Sequence, residues 1–213
     1  MSTTIFTYGG KVLVNGANNK WLKKYVAPAP VDPYNPLGLP ANTVRVRTSD
    51  RNPPASGQAA YSTATLVEGT LDVYDVYRSG TSLSYLLYYS TNVTEVLGAN
   101  TTGITNMGRM FSNCSSLVSV PLFDTRSVTD TNEMFYKCSS LTSIPLFDTS
   151  NIEDMGSMFA SCVKVESGAL ALYQQASSQA TPPIVHSYTF NSCGSQTVTG
   201  SAELAQIPSN WKY

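Results

Sequence analysis

The chain has 213 residues, 42% of them hydrophobic, which suffices for a buried core, while charged residues make up 13% and the net charge is -1. A surface so poor in charge relies on hydrogen bonding and excludes the broad basic field that general nucleic-acid or membrane-surface binding requires. No apolar run approaches the roughly 18 residues that cross a bilayer, so membrane insertion is not expected.

From the N-terminus, residues 1–27 carry Lys11, Lys20, Lys23 and Lys24 and no acid, giving +4 against -5 for the remainder. IFTY and KVLV flank Gly9-Gly10 and predict a hairpin. The start lacks the basic stretch and apolar run of a secretory signal, so folding in the cytosol is expected. Residues 28–40, PAPVDPYNPLGLP, hold five of the twelve prolines and read as an extended linker. Residues 41–77 predict a small β module from TVRVR, with Val44 and Val46 on one face, then ATLV and LDVYDVY.

Self-similarity dominates residues 78–165. SSLVSVPLFDTRSVTDTNEMFYKC, ending at Cys138, and SSLTSIPLFDTSNIEDMGSMFASC, ending at Cys162, agree at 13 of 24 positions without a gap. Met110 and Phe111, Met134 and Phe135, Met158 and Phe159, and Cys114, Cys138 and Cys162 all step by 24. This strict period marks them as structural core. Upstream, Leu83, Leu86, Leu87 and Ser90 take the slots of Met107, Met110, Phe111 and Cys114, a degenerate first unit. Leu117, Val120 and Leu122 suit an extended segment, and Val128, Thr131, Met134 and Phe135 a helical turn. Each unit is therefore expected to be a strand, a turn and a short helix that bury their apolar faces by stacking. In residues 166–213, 31 residues rather than 24 separate Cys162 from Cys193, which implies an insertion. GALALYQQASSQ within it predicts a helix burying Leu172, Tyr173 and Ala176, and a second helix from Ala202 to Gln206 with Trp211 is expected to cap the end.

The motif LFDTS, the Met-Phe pairs and the periodic Cys resemble the BspA-like leucine-rich-repeat family of surface proteins, over residues 83–165 and, more weakly, 186–193. The resemblance implies an α/β (mixed) repeat fold: a short leucine-rich-repeat-like solenoid with parallel strands, preceded by a small β unit and an extended N-terminal arm. It also implies a non-catalytic adhesive role. The segments EVLGANTTGITNM, SGALALYQQASSQATPP, AELAQIPSNWK and LPANTVRVRTSD are similar to parts of proteins encoded by bacteriophages and mobile elements of gut bacteria. Together these imply a virion-surface structural protein, a head fibre, decoration or tail component. Its arm, through Lys11, Lys20, Trp21, Lys23 and Lys24, would dock to other virion proteins, and a homo-oligomer such as a trimer is expected. The rival expectation is a BspA-like adhesin on a bacterial surface, and a third a glycan-cleaving tail enzyme.

Chemical motifs are sparse. The four cysteines fall in equivalent slots and read as buried free thiols rather than disulfides or a zinc set, because His186 is the only histidine and no CxxC occurs. His186 is expected in an exposed loop, which leaves no Ser-His-Asp set. Asp124 and Asp148 are expected to accept a hydrogen bond from the N–H two residues on; calcium is the alternative. Glu68, Asp72, Asp75, Glu153 and Asp154 read as solvated charge, not as a catalytic pair. No phosphate-binding motif occurs and no cofactor is expected. Recognition is sought where the units differ, at Arg109, Asn113, Arg126, Glu133, Tyr136 and Lys137, with Ser157 and Ala160 in the matching slots and a host receptor or glycan as partner. Tyr74, Tyr77, Tyr85, Tyr88 and Tyr89 cluster near the first unit and read mainly as packing.

Overall fold

The computed structural model describes residues 5–8, 11–14, 32–54 and 63–213. The chain divides into two compact units, Met1–Val31 and Asp32–Tyr213. In the first, β1 (Ile5–Tyr8) and β2 (Lys11–Val14) form an antiparallel hairpin that pairs Ile5 with Val14 and Tyr8 with Lys11. Lys20, Trp21, Lys23 and Lys24 lie outside the described residues, as does the side chain of Lys11.

The second unit contains a four-stranded antiparallel sheet of β3 (Thr43–Thr48), β4 (Thr63–Leu66), β5 (Val73–Tyr77) and β6 (Val93–Asn100), in the order β4-β5-β3-β6. The period-2 alternation of β3 explains its place: Val44 and Val46 are fully buried, while Arg45 and Arg47 face out. Arg45 lies opposite Asp75 and grips it with two hydrogen bonds of 2.7 and 2.8 Å. Arg47 reaches Glu95 on β6 at 2.6 Å. Residues 32–40, expected as linker, belong to this unit: Leu39 is buried and Asn100 donates to its carbonyl at 2.8 Å.

β6 is the joint of the molecule. One edge pairs antiparallel with β3, and the other meets the first full repeat through the Glu95–Ser119 parallel bridge, with Val118 N–H donating to the Thr94 carbonyl at 2.8 Å. The 24-residue units then lie one against the next. Phe111, Phe135, Phe159 and Phe190 form a column of stacked rings with centroids 5.3, 5.2 and 6.1 Å apart, and Phe123 and Phe147 stack beside them at 5.7 Å. All six rings are fully buried.

The expected α/β solenoid with parallel strands does not form. The extended sheet is antiparallel, and residues 101–167 contain no strand and no helix, only turns and isolated parallel bridges. The reason lies in residues 107–114 and their equivalents. Met107, Arg109, Phe111 and Asn113 send their N–H groups to carbonyls of the next unit, at Asp130, Asn132, Met134 and Tyr136. Met110, Ser112 and Cys114 instead donate three residues back, to Met107, Arg109 and Phe111. A run in which alternate N–H groups leave for a neighbour cannot be an α-helix. The three-residue spacing that suggested helix belongs equally to this succession of turns.

The insertion holds α1 (Ala169–Ser177), which buries Ala169, Leu172 and Ala176, with Tyr173 partly buried. Its first N–H groups, orphaned as at every helix start, are met by Glu203: Leu170 N–H donates to the carboxylate at 3.1 Å. Gly168 ahead of it has φ of +100°, and a Cβ there would lie 2.2 Å from the Ile144 carbonyl oxygen, so glycine is required. The chain then regains register, with Met155 N–H bonded to the Val185 carbonyl at 2.8 Å. Helix α2 (Val198–Gln206) starts at Thr197, whose hydroxyl accepts from Gly200 N–H at 3.0 Å, four residues earlier than the sequence suggests. A 3₁₀ turn, Ser209–Trp211, sets the buried Trp211 ring 6.2 Å from Phe190, closing the aromatic column.

Candidate recognition surface

Among the described residues twelve other than glycine have positive φ, and ten of them fall into two columns. Tyr85, Arg109, Glu133, Ser157 and Tyr188 form one, with φ between 54 and 61° except Glu133 at 52°. Four residues further along each unit, Tyr89, Asn113, Lys137, Ser161 and Ser192 form the other. A left-handed residue with a Cβ costs about 1–2 kcal/mol, and glycine or Asn is the ordinary solution. Here nine of the ten are neither. In every unit but the last, the N–H of the column residue reaches the next unit, as Lys137 N–H does to the Ala160 carbonyl at 2.9 Å, and the same turn recurs in the last unit at Tyr188 and Ser192. Persistent strain of this kind is a feature of binding and catalytic surfaces.

The six sequence-predicted recognition residues do not form one patch. Arg109 and Glu133, neighbours in the first column, hold each other through hydrogen bonds of 3.0 and 2.8 Å. The Arg109 guanidinium also bonds the Tyr85 hydroxyl and lies 5.5 Å from that ring's centroid. These contacts, Glu133 first, raise the Arg109 pKa above its ordinary value. Tyr85, Tyr88 and Tyr89 meet edge to face at 5.2 and 4.7 Å, while Tyr74 is buried and donates its hydroxyl to the Arg51 carbonyl at 2.7 Å. Arg126 is elsewhere. It closes on Asp124 with two bonds of 2.8 and 2.9 Å along one edge of the guanidinium and lies over the Tyr34 ring at 4.9 Å with one face. Lys137 lies over Tyr136 at 5.1 Å. Ala160, in the slot of Tyr136, is buried and offers no side chain to solvent.

Asn113 and Lys137 do share a site. An open groove of about 410 Å³ runs across four successive units, lined in the second column by Tyr89, Asn113, Lys137 and Ser161. Two residues on, Thr91, Ser115, Ser139 and Val163 form its other wall. Sequence reasoning had Tyr89 mainly as a packing residue and did not single out Ser115, Ser139 or Ser161. Stepping 24 residues from Asn113 and Lys137 reaches Tyr89 and Ser161, and a further two residues reach the other wall.

A second ladder was also missed. Ser82, Asn106, Asp130 and Asp154 are bridged in series, and Asn106, Asp130 and Asp154 each accept the N–H two residues on, at 2.9, 2.9 and 2.7 Å. Asn106 further donates to Asp130 at 2.7 Å. Asp124 and Asp148 close turns in the same way, accepting from Arg126 N–H at 3.3 Å and Ser150 N–H at 2.9 Å. The side-chain bond to Arg126, above all, holds the Asp124 carboxyl below the usual carboxylate range despite its burial.

The four cysteines are free and buried. Cys114, Cys138 and Cys162 donate to the carbonyls of Leu87, Phe111 and Phe135 at 3.0, 3.2 and 3.1 Å, tying each unit to the one before. Burial pushes the Cys114 and Cys162 thiols up to about 12. His186 is not an exposed loop residue: its ring stacks on Trp211 at 4.4 Å, because the inserted loop re-enters register at Val185. Among the described residues no cluster of three or more His, Cys, Asp or Glu is placed to hold a metal ion. Nor is any helix there long and apolar enough to cross a membrane.

The described residues of the second unit thus form a stack of turn-built 24-residue units with an open groove along one face. The chain belongs to the family described as Mycoplasma protein of unknown function, DUF285, whose pattern matches residues 59–191, from just before β4 to the last unit. That membership is compatible with the BspA-like resemblance of the repeats. No curated protein and no solved structure matches the chain.

Proposed function

We propose that this chain is a non-enzymatic recognition protein carried on the surface of a bacteriophage particle, which presents the groove outward and is held by its basic arm, residues 1–27, against other particle proteins. The observation that carries the recognition part is the pair of columns: ten strained positions hold side chains that the core does not need. The carboxylates of Asp130 and Asp154 favour a non-enzymatic role, since they accept turn hydrogen bonds instead of facing each other across a cleft. Placement on a particle rests on the phage-like phrasing of segments such as AELAQIPSNWK.

Gold-labelled antibody against residues 32–213, applied to lysates and intact cells of the host strain and viewed by electron microscopy, tests the placement. Label on particles is expected, and it should vanish when residues 1–27 are deleted. Label confined to the cell envelope would make the chain a bacterial-surface adhesin, the second reading, which the BspA-like repeats favour.

A further inference from the structure

We propose that the groove binds a linear anionic glycan laid across the units, with Lys137 meeting its acidic group and the Tyr89 ring stacking on one of its sugars. This rests on the recognition reading above and names its ligand class.

The groove's chemistry is the first argument. It combines the Tyr89 ring, the Thr91 and Val163 methyls and the Lys137 stem with the hydroxyls of Ser115, Ser139 and Ser161 and the Asn113 amide. Sugars have the same duality, with apolar C–H faces and hydroxyl edges, and aromatic rings suit the former while hydroxyl and amide groups suit the latter. Lys137 is the single charged residue of the lining, and among the described residues no carboxylate lies within ion-pair distance of it. Its ammonium lies over the Tyr136 ring at 5.1 Å, a contact that leaves the charge without a neutralising partner for a ligand's acidic group to meet.

Backbone hydrogen bonding then discriminates between polymers. A peptide that adds as an extra strand needs free main-chain donors. Here the N–H groups of Tyr89, Asn113, Lys137 and Ser161 all donate to the neighbouring unit, at 2.9, 2.7, 2.9 and 2.8 Å. Those of Thr91, Ser115 and Ser139 donate to the carbonyl two residues back, at 2.8, 2.9 and 2.8 Å. Seven of the eight lining residues therefore have no main-chain donor to offer a peptide strand. A nucleic acid carries a charge at every residue and would ask for a row of cations, whereas the groove supplies one. A ligand of repeating sugars also meets a repeating wall, since the lining takes one pair of residues from each of four successive units.

The test is a printed array of linear uronate-bearing, sulfated and neutral glycans, probed with the full chain, its Lys137→Met variant and its Tyr89→Ala variant. Signal on uronate or sulfated glycans is expected, and the array separates these two sources of negative charge. Lys137→Met, which keeps the aliphatic stem, should lower that signal at least tenfold, and Tyr89→Ala should lower it severalfold. An unchanged melting temperature for Lys137→Met shows that the fold is intact. Binding of the anionic glycans should weaken with added salt. Signal on no glycan, on neutral glycans only, or signal that both variants leave intact overturns the proposal. Particle labelling by the antibody would survive that outcome, so failure of the ligand and failure of the placement are told apart.

Discussion

Replacing Ser157 by glycine should make the protein more stable, against the usual effect of adding a glycine. Ser157 has φ of 54°, and its hydroxyl makes no hydrogen bond among the described residues. Its N–H donates to the Ser187 carbonyl at 3.0 Å and its carbonyl accepts from Ala160 N–H at 3.1 Å, and glycine keeps both bonds. Removing the Cβ relieves about 1–2 kcal/mol of left-handed strain. Against that, glycine loses about 0.5–1 kcal/mol more backbone entropy on folding. The net is a gain of about 0.5–1 kcal/mol, or roughly 2 °C in melting temperature for a chain of this size. Ser116, which is half-buried and has no positive φ, is the control, and Ser116→Gly should lower the melting temperature by a similar amount. Calorimetry of the two single variants beside the parent decides it. If Ser157→Gly is destabilised as much as Ser116→Gly, the columns carry no strain and the functional argument built on it fails.

Three further outcomes follow from the packing and the charges. Phe135→Ala removes a ring in contact with Phe111, Phe147 and Phe159 and should cost about 3–5 kcal/mol in urea unfolding, while Tyr136→Ala next to it should cost less than about 1 kcal/mol. The Cys114 and Cys162 thiols, raised from 9.0 to about 12, contribute stability that is complete below pH 9 and lost as pH climbs toward 12. The melting temperature should therefore fall above pH 9, less steeply in a Cys162→Ala variant, and native protein should resist a thiol reagent at pH 8 that labels all four cysteines in denaturant. Asp124, held low by Arg126, contributes stability present above the ordinary carboxylate pKa and lost as pH falls below it. Arg126→Ala should shrink or reverse that acid-side loss, with an effect at pH 7 below about 1 kcal/mol because the Arg126 side chain is 57% exposed.

The 24-residue period was legible because the core slots, Met110 to Cys114 and their equivalents, are filled by near-identical side chains. The Asp124 and Asp148 turns, helix α1 and the Trp211 closure were legible for local reasons: carboxylate reach, apolar spacing and a lone large aromatic after a helix. The expected strand and helix within each unit were not there, since spacing of three is common to helices and to successive turns and carries no mark of where the N–H groups go. The left-handed columns were invisible for a different reason. Positive φ is ordinarily read from Gly or Asn, and Arg109, Glu133 and Lys137 give no such sign. Sequence variability did mark Asn113 and Lys137, yet it also marked Arg126, whose variation answers to Tyr34 and Asp124, and Ala160, which is core.

The two ends of the stack explain why the groove has the length it has. At one end the units cannot continue because β6 already spends its outer edge on β3, so the first unit inherits an antiparallel sheet as its cover. At the other end the 31-residue step brings Gly194 N–H to the Cys162 carbonyl at 3.0 Å, and α2 follows directly, which takes the position two residues beyond Ser192 out of the groove wall. Between these covers four units present the full pair of wall residues, from Tyr89 to Ser161. A stack of this kind has its binding length set by its caps rather than by its repeats. Inserting one more 24-residue unit after Cys138 should therefore lengthen the groove by one unit without disturbing either cover, because each unit bonds only its immediate neighbours.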